Sequence, residues 1–304
     1  MSLEQLHDLT AVIPIGPMKG NLENLSRTLS SAKSMSINLI LVCDDHHDGT
    51  WEVLEKLVEK VDHANLKVLR KELGGPGLAR NVGLDATQSD WVVFWDADDL
   101  PNINNTIKAL SDPENNTADI ICGQYQIIDE KQNRCCYQSS VRETEKENLR
   151  AIAVQPGIWR FALRMSFIGA LRFEPGKMGE DQEFLFKVFL RNPRIVFTPE
   201  YFYQYISGNE NQLTANTKNL SDLLLVQNRI SKLQKSNVSK VYYEMLNIIR
   251  TQIDFSLLKN ASNKIKWKVL FILVCKYRNP IEAVRLATTL RIILRERIGR
   301  NEKP

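Results

Sequence analysis

The 304-residue chain has no long apolar run, no histidine beyond His63 and no paired-cysteine motif. Its longest apolar candidate, Val269 to Cys275, is seven residues between Lys268 and Lys276. A membrane span needs roughly 18 or more. With His7, His46, His47 and His63 as the only histidines, no late histidine can complete a metal shell. Five cysteines (Cys43, Cys122, Cys135, Cys136, Cys275) give an odd count without CxxC or zinc-like spacing. They read as free thiols in a reducing compartment, with adjacent Cys135 and Cys136 the one oddity. The opening MSLEQLHDLT has no basic region followed by an apolar one, so no signal peptide is expected. Neither a dinucleotide GxGxxG after the first strand nor a Gly-Lys-Ser/Thr loop is present, and there are no repeats or low-complexity tracts. With 43% hydrophobic and 25% charged residues, what remains is an ordinary globular composition, enough for one large domain or two modest ones. The expected location is the cytoplasm.

The first hundred residues alternate between strand and helix patterns. Thr10 to Ile15, Ile37 to Cys43, Leu66 to Leu69 and Trp91 to Trp95 read as strands. Leu22 to Ala32, Thr50 to Val61 and Leu78 to Ala86 show apolar residues at helical spacing. Such alternation predicts crossover units and a mostly parallel sheet covered by helices on both faces, with continuous apolar strands buried on both sides. Beyond residue 115 the pattern loosens. Asp119 to Ile128 suggests another strand, residues 151–210 are rich in aromatics, and the chain from about 220 is mostly helical. The predicted division is an α/β domain over 1–210 and a helical extension over 211–304.

Ligands of such sheets bind beyond the carboxyl ends of the strands. After the fourth strand stand Asp96, Ala97, Asp98 and Asp99. Acids this close repel and raise one another's pKa. A hard divalent cation shared with phosphate oxygens would relieve that repulsion, whereas a solvated, helix-capping turn before Pro101 is the plainer alternative. After the second strand come Asp44 and Asp45, acceptors for the hydroxyls or base N–H of a nucleoside or, again, caps for the next helix. His46 and His47 beside them read as solvated. After the third strand, Gly74, Gly75 and Gly77 would let backbone approach a ligand, and Arg80 would reach a phosphate or a base carbonyl.

In this order the motifs resemble the inverting family 2 glycosyltransferases of the bacterial surface-polysaccharide type, which have the GT-A fold. The match runs through Ile13-Pro14-Ile15, Asp44-Asp45, Ala79-Arg80-Asn81-Val82-Gly83-Leu84, Asp96-Ala97-Asp98-Asp99 and Gly179-Glu180-Asp181-Gln182-Glu183-Phe184, over roughly residues 9–205. The resemblance implies a nucleotide-sugar donor, most often a UDP-sugar, and Mn²⁺ or Mg²⁺. Pro14, Asp44 or Asp45 (Asp45 preferred), Gly75, Arg80, Asp96, Ala97 and Asp98 would contact the donor. Asp98 and Asp96, with Asp99 as an alternative, would hold the metal. Asp181 would be the general base, supported by Glu180. Two departures stand out. Gly16 and Pro17 replace the aromatic and Asn that usually follow the first strand, and His46-His47 replace Gly-Ser after the acid pair.

Charge is unevenly distributed. Residues 261–304 hold eleven Lys/Arg against three Glu, or +8, so the preceding 260 carry −4. Leu286, Ala287, Leu290, Ile293 and Leu294 share one helical face, and Trp267 adds an aromatic. An apolar face with surplus cations suits an anionic membrane surface, where a lipid-linked acceptor would lie; a docked helical subdomain with solvated charges is the alternative. No nucleic-acid-binding module accompanies the basic face, so nucleic acid is set aside. The expectation is therefore a metal-assisted glycosyltransferase acting on a glycan or lipid-linked acceptor at the inner membrane face. Its rival is a catalytically inactive nucleotide-binding scaffold on the same fold. A phosphatase using Asp-x-Asp is disfavoured, because its acids belong after the first strand.

Overall fold

The computed structural model describes residues 9–17, 22–132, 134–208, 220–233, 237–260, 286, 287 and 291. They fall into two compact units that interleave along the chain. One is drawn from Met1–Val141, Ile158–Gly176 and Pro193–Asn209, the other from Arg142–Gly157, Lys177–Asn192 and Glu210–Pro304.

The first unit is built on β1 (Leu9–Ile15), β2 (Asn38–Asp44), β3 (Leu66–Lys71) and β4 (Trp91–Phe94), with α1 (Glu23–Met35), α2 (Thr50–Val61) and α3 (Pro76–Ala86) between them. These four strands are parallel in the order β3-β2-β1-β4. As predicted, β1 and β2 are buried almost throughout, which is why they read as apolar runs rather than alternations. Ala11, Ile13 and Ile15 face a core with Leu25, Leu29 and Ala32 of α1 and Leu54 of α2. On the opposite face α3 lies so close that a Cβ on Gly83 would stand 2.2 Å from Val12 Cγ1; the glycine in the Ala-Arg-Asn-x-Gly segment is a packing residue. Pro14 is tolerated inside a central strand because β4 pairs only with Leu9 to Val12, and Trp95 N–H already donates to Val12 O. A proline beyond that point breaks no ladder bond.

The sheet continues through β6, which the Asp119 to Ile128 pattern had suggested, and through elements that the sequence did not announce. β5 (Leu100–Pro101), α4 (Ile103–Leu110), β6 (Ile120–Asp129), β7 (Arg134–Gln138), β8 (Phe161–Arg164), α6 (Met165–Ile168) and β9 (Ile195–Ser207) complete it; α5 (Glu145–Val154) belongs to the second unit. β8 lies antiparallel between β4 and β6, β9 runs parallel to β6, and β5 pairs with β9. The sheet is thus mostly parallel with an antiparallel lane inserted, not a pure crossover series.

The second unit comprises α5, α7 (Glu180–Phe189), α8 (Leu220–Lys232) and α9 (Lys240–Asn260). A Thr144–Glu147 capping box starts α5. The helical reading of the chain after 220 holds through Asn260. The basic segment 261–304 lies outside the described residues apart from 286, 287 and 291. Among the described residues no helix is long and apolar enough to cross a membrane.

Candidate active site

The end of β3 and the loop after it are held by the two acids at the end of β2. Asp44 closes β2 and is buried. Its carboxylate accepts the backbone N–H groups of Leu73 (2.8 Å), Gly74 (3.0 Å) and Gly75 (2.8 Å). Gly74, at φ +89°, supplies the left-handed turn that lets consecutive N–H groups converge. Charge-assisted bonds of this kind are strong, so Asp44 fixes the glycine loop from which α3 and Arg80 start. Asp45 points elsewhere. Nε and an Nη of Arg70 reach one of its oxygens, each at 2.7 Å, and His47 N–H reaches the other at 3.0 Å. The His47 N–H, then the Arg70 guanidinium, hold Asp45 below the ordinary carboxylate range. His47 also meets Glu72 at 3.2 Å.

Beyond β4 the four-residue acidic turn divides into distinct environments. Asp96 is half-buried, and its Oδ1 accepts an Nη of Arg80 at 2.9 Å. Arg80, 5% exposed, lies with its guanidinium 5.6 Å from the Phe173 ring centre. Phe173 is in turn clamped by Asn81, whose amide accepts the Phe173 N–H and donates to its carbonyl. The Arg-Asn pair of α3 therefore splits its work: Arg80 goes to the acids, Asn81 to the segment that backs it. Ala97 is buried. Asp98 is half-buried, its carbonyl accepts Asn24 Nδ2 at 2.7 Å, and its side chain is pushed up to about 6, first by burial and then by Asp96. Asp99 is 1% exposed and turned into the sheet, where it accepts Ile206 N–H at 2.7 Å and bonds the Tyr203 hydroxyl. Burial, then Asp98 and Asp96, raise Asp99 well above the usual value. The same Tyr203 hydroxyl accepts Asp96 N–H at 2.9 Å, and its ring stacks on Trp159 at 4.7 Å. Asp99, Tyr203 and Trp159 thus hold the turn from behind.

Asp96 and Asp98 fit a divalent cation. They are half-buried neighbours that repel, with the Asp98 carboxyl raised by burial and then by Asp96, a shift that bound positive charge would reverse. Among the described residues no group of three or more His, Cys, Asp or Glu could enclose a metal. A site with two carboxylates, completed by substrate phosphate, is typical of Mg²⁺.

In the second unit, α7 begins at Gly179 with Glu180, Asp181 and Glu183 in its first turn, favourable positions for acids at a helix N-terminus. Glu180 is buried, while Asp181 is half-buried with Oδ1 accepting Gln182 N–H at 2.8 Å. Glu183 carries a side chain 1% exposed, hydrogen-bonded by Arg229 Nε of α8 (to Oε2 at 2.8 Å and Oε1 at 3.0 Å) and ion-paired with Arg229 Nη at 2.7 Å and with Lys187 at 3.3 Å.

Tyr203, Arg70 and Arg229 were not anticipated. Tyr203 lies in an aromatic-rich stretch whose composition flags a buried strand but not a hydroxyl aimed at a turn about a hundred residues earlier. Nothing local distinguishes Arg70 from the other cations of its edge strand.

A family model described as glycosyl transferase family 2 matches residues 15–170. The poly(ribitol-phosphate) beta-N-acetylglucosaminyltransferase TarP of Staphylococcus aureus (strain N315) is 31% identical over 118 residues, 37% of this chain and 36% of that protein. The chain spans only part of the curated relatives it meets first: besides that 36%, it covers 30% of the glycosyltransferase GlyA of Streptococcus pneumoniae. Among solved structures, S. aureus TarS 1-349 in complex with UDP-GlcNAc superposes with a TM-score of 0.62 at 18% identity, covering 96% of this chain and 92% of that one. This likeness establishes the GT-A architecture of the fold.

Proposed function

Because the chain belongs to glycosyl transferase family 2, we propose that it transfers a sugar from a nucleotide-sugar donor to a glycan or lipid-linked acceptor. The donor in this reading is a UDP-sugar of the hexosyl or N-acetylhexosaminyl type, and the anomeric centre is inverted. The observation that carries it is the Arg80–Asp96 pair beside half-buried Asp98 at the carboxyl end of β4. The similarity to TarP, a beta-N-acetylglucosaminyltransferase, supports an N-acetylhexosaminyl donor.

Asp96 and Asp98 would hold Mn²⁺ or Mg²⁺. When bound, such an ion neutralises the charge that gathers on a leaving diphosphate. Arg80, oriented by Asp96 and Phe173, brings a fixed cation to the same end of the sheet. The glycine loop tied by Asp44 offers backbone rather than side chain to the donor. Asp99 is assigned to positioning, since its acceptor capacity is directed at Ile206 and Tyr203. Asp181 is the proposed base. A carboxylate can take the proton that an acceptor hydroxyl loses as it attacks, and a single attack from the face opposite the leaving group inverts the carbon.

Thermal denaturation with UDP-GlcNAc and Mn²⁺ tests this reading. At a donor concentration a hundredfold above Kd, stabilisation of about 2.7 kcal/mol is expected. It should shrink without Mn²⁺ and in Asp98→Ala. No stabilisation by any nucleotide-sugar, with or without metal, refutes the donor site.

We assign the basic segment 261–304 to an anionic membrane surface on sequence grounds alone, which would make the protein peripheral on the inner face. Near such a surface each Lys or Arg contributes about 1 kcal/mol. Reversing Arg291 and Arg295 to Glu should therefore weaken co-sedimentation with phosphatidylserine vesicles by more than about tenfold at low salt. Equal pelleting of both proteins would rule the surface out.

A further inference from the structure

Asp45, the acid of the pair that the resemblance prefers for the nucleoside's hydroxyls or base N–H, is already engaged. Both its oxygens are taken, one by two nitrogens of Arg70 at 2.7 Å and the other by His47 N–H at 3.0 Å. Its side chain is only 8% exposed, whereas that of Arg70 is 41% exposed. The guanidinium is also fixed in plane. Its Cζ lies 5.0 Å from the ring centre of Trp51, in the first turn of α2, so one face is backed by an indole while the Asp45 carboxylate sets its rotation about the plane. Arg70 stands opposite Cys43 in the β2–β3 register, one residue from the end of β3. It therefore sits at the ligand edge of the sheet, next to the glycine loop.

Of the Asp45–Arg70 pair, the member more open to a ligand is thus a planar cation with N–H donors, not the carboxylate. The sequence shows a matching gap. Gly16 and Pro17 follow β1, and neither supplies an aromatic face or a side-chain donor for a base. A guanidinium held by carboxylate and indole has both properties the gap removes: a π-face for a base and donors for its carbonyl oxygens.

We propose that Arg70, clamped between Asp45 and Trp51, is a nucleobase-contacting residue of the donor site, donating to the carbonyl oxygens of a keto pyrimidine. This rests on the uridine-nucleotide reading above. Asp45 then acts chiefly by orienting Arg70, and its remaining lone-pair capacity is available to the imide N–H of the base.

The test is calorimetric binding of UDP, CDP and inorganic pyrophosphate, each with Mn²⁺, to the full chain. In Arg70→Met, UDP affinity should fall about tenfold or more, pyrophosphate affinity should be unchanged, and the UDP-to-CDP preference should narrow, as expected for a lost hydrogen bond from a charged group. Arg70→Lys should fail to restore UDP binding, since an ammonium keeps the charge beside Asp45 but loses the plane and the fork. Trp51→Leu, which leaves every donor in place, should show a smaller loss of the same pattern. Parallel losses for UDP and pyrophosphate would put Arg70 on the phosphates and overturn the proposal, as would full recovery by lysine or unchanged UDP affinity in a folded Arg70→Met. If the unmodified chain binds pyrophosphate but no nucleoside diphosphate preferentially, the nucleotide reading itself fails, and the Arg70 proposal with it.

Discussion

Asp181→Asn is expected to lower kcat for sugar transfer by about 10²–10⁴-fold, the usual contribution of a positioned general base, while changing donor affinity by less than about threefold. The substitution is nearly isosteric. The amide oxygen can still accept Gln182 N–H, as the carboxylate does at 2.8 Å, so the start of α7 should keep its shape. Loss of the negative charge near the helix N-terminus costs about 0.3–1 kcal/mol, too little to unfold the chain. What disappears is the ability to take a proton. The donor-contacting candidates Asp45, Arg80, Asp96 and Asp98 all belong to the first unit, whereas Asp181 belongs to the second, which is why the two effects should separate. Glu180→Gln is the comparator. Glu180 is buried, so its replacement should appear mainly in the melting temperature, with kcat within about tenfold. Single-turnover transfer and donor titration on both variants decide the matter. If Glu180→Gln abolishes transfer and Asp181→Asn does not, the base has been assigned to the wrong acid.

The contrast between these neighbouring acids shows where sequence reading stops. Strands β1, β2 and β4 were legible because burial on both faces writes itself as an apolar run, and the helices between them because their buried faces recur at helical spacing. β8 was not legible: four residues, Phe161 to Arg164, carry neither alternation nor length, and their strand character comes from β4 and β6, some forty to seventy residues away. The site was readable as a set of motifs and not as a division of labour. Asp44 and Asp45 are adjacent and chemically identical, yet one ties the glycine loop and the other locks Arg70. Asp96, Asp98 and Asp99 differ in the same way, because only the fold decides which of them meets Arg80, solvent or Tyr203. Sequence supplies the donors and acceptors; the pairing is set by strands that are close in space and distant in the chain.

Arg229→Leu is expected to destabilise the protein by about 3 kcal/mol, the low end of the range for breaking a buried ion pair. The low end applies because the Arg229 side chain is 29% exposed and its own desolvation is incomplete. The Glu183 carboxylate is 1% exposed, and without Arg229 its ion pairing reduces to Lys187 at 3.3 Å, one turn along the same helix. Such a carboxylate left with half its compensation is worse than an apolar side chain of similar volume. The double variant Glu183→Leu/Arg229→Leu should therefore recover most of the loss, even though it lacks both charges. Urea unfolding monitored by two probes measures the difference, the second probe being needed because two units can unfold separately. A loss below about 1 kcal/mol in Arg229→Leu would mean that the pair is solvated in practice and does not hold α7 to α8. Function gives an independent reading of the same contact. Glu183 lies two residues after Asp181 on α7, so loosening the helix should lower kcat while UDP affinity, for which the proposed contacts lie in the first unit, stays within about twofold. An equal fall in both would show that the helix pair supports the donor site as well, and that Asp181 is not the only contribution of α7.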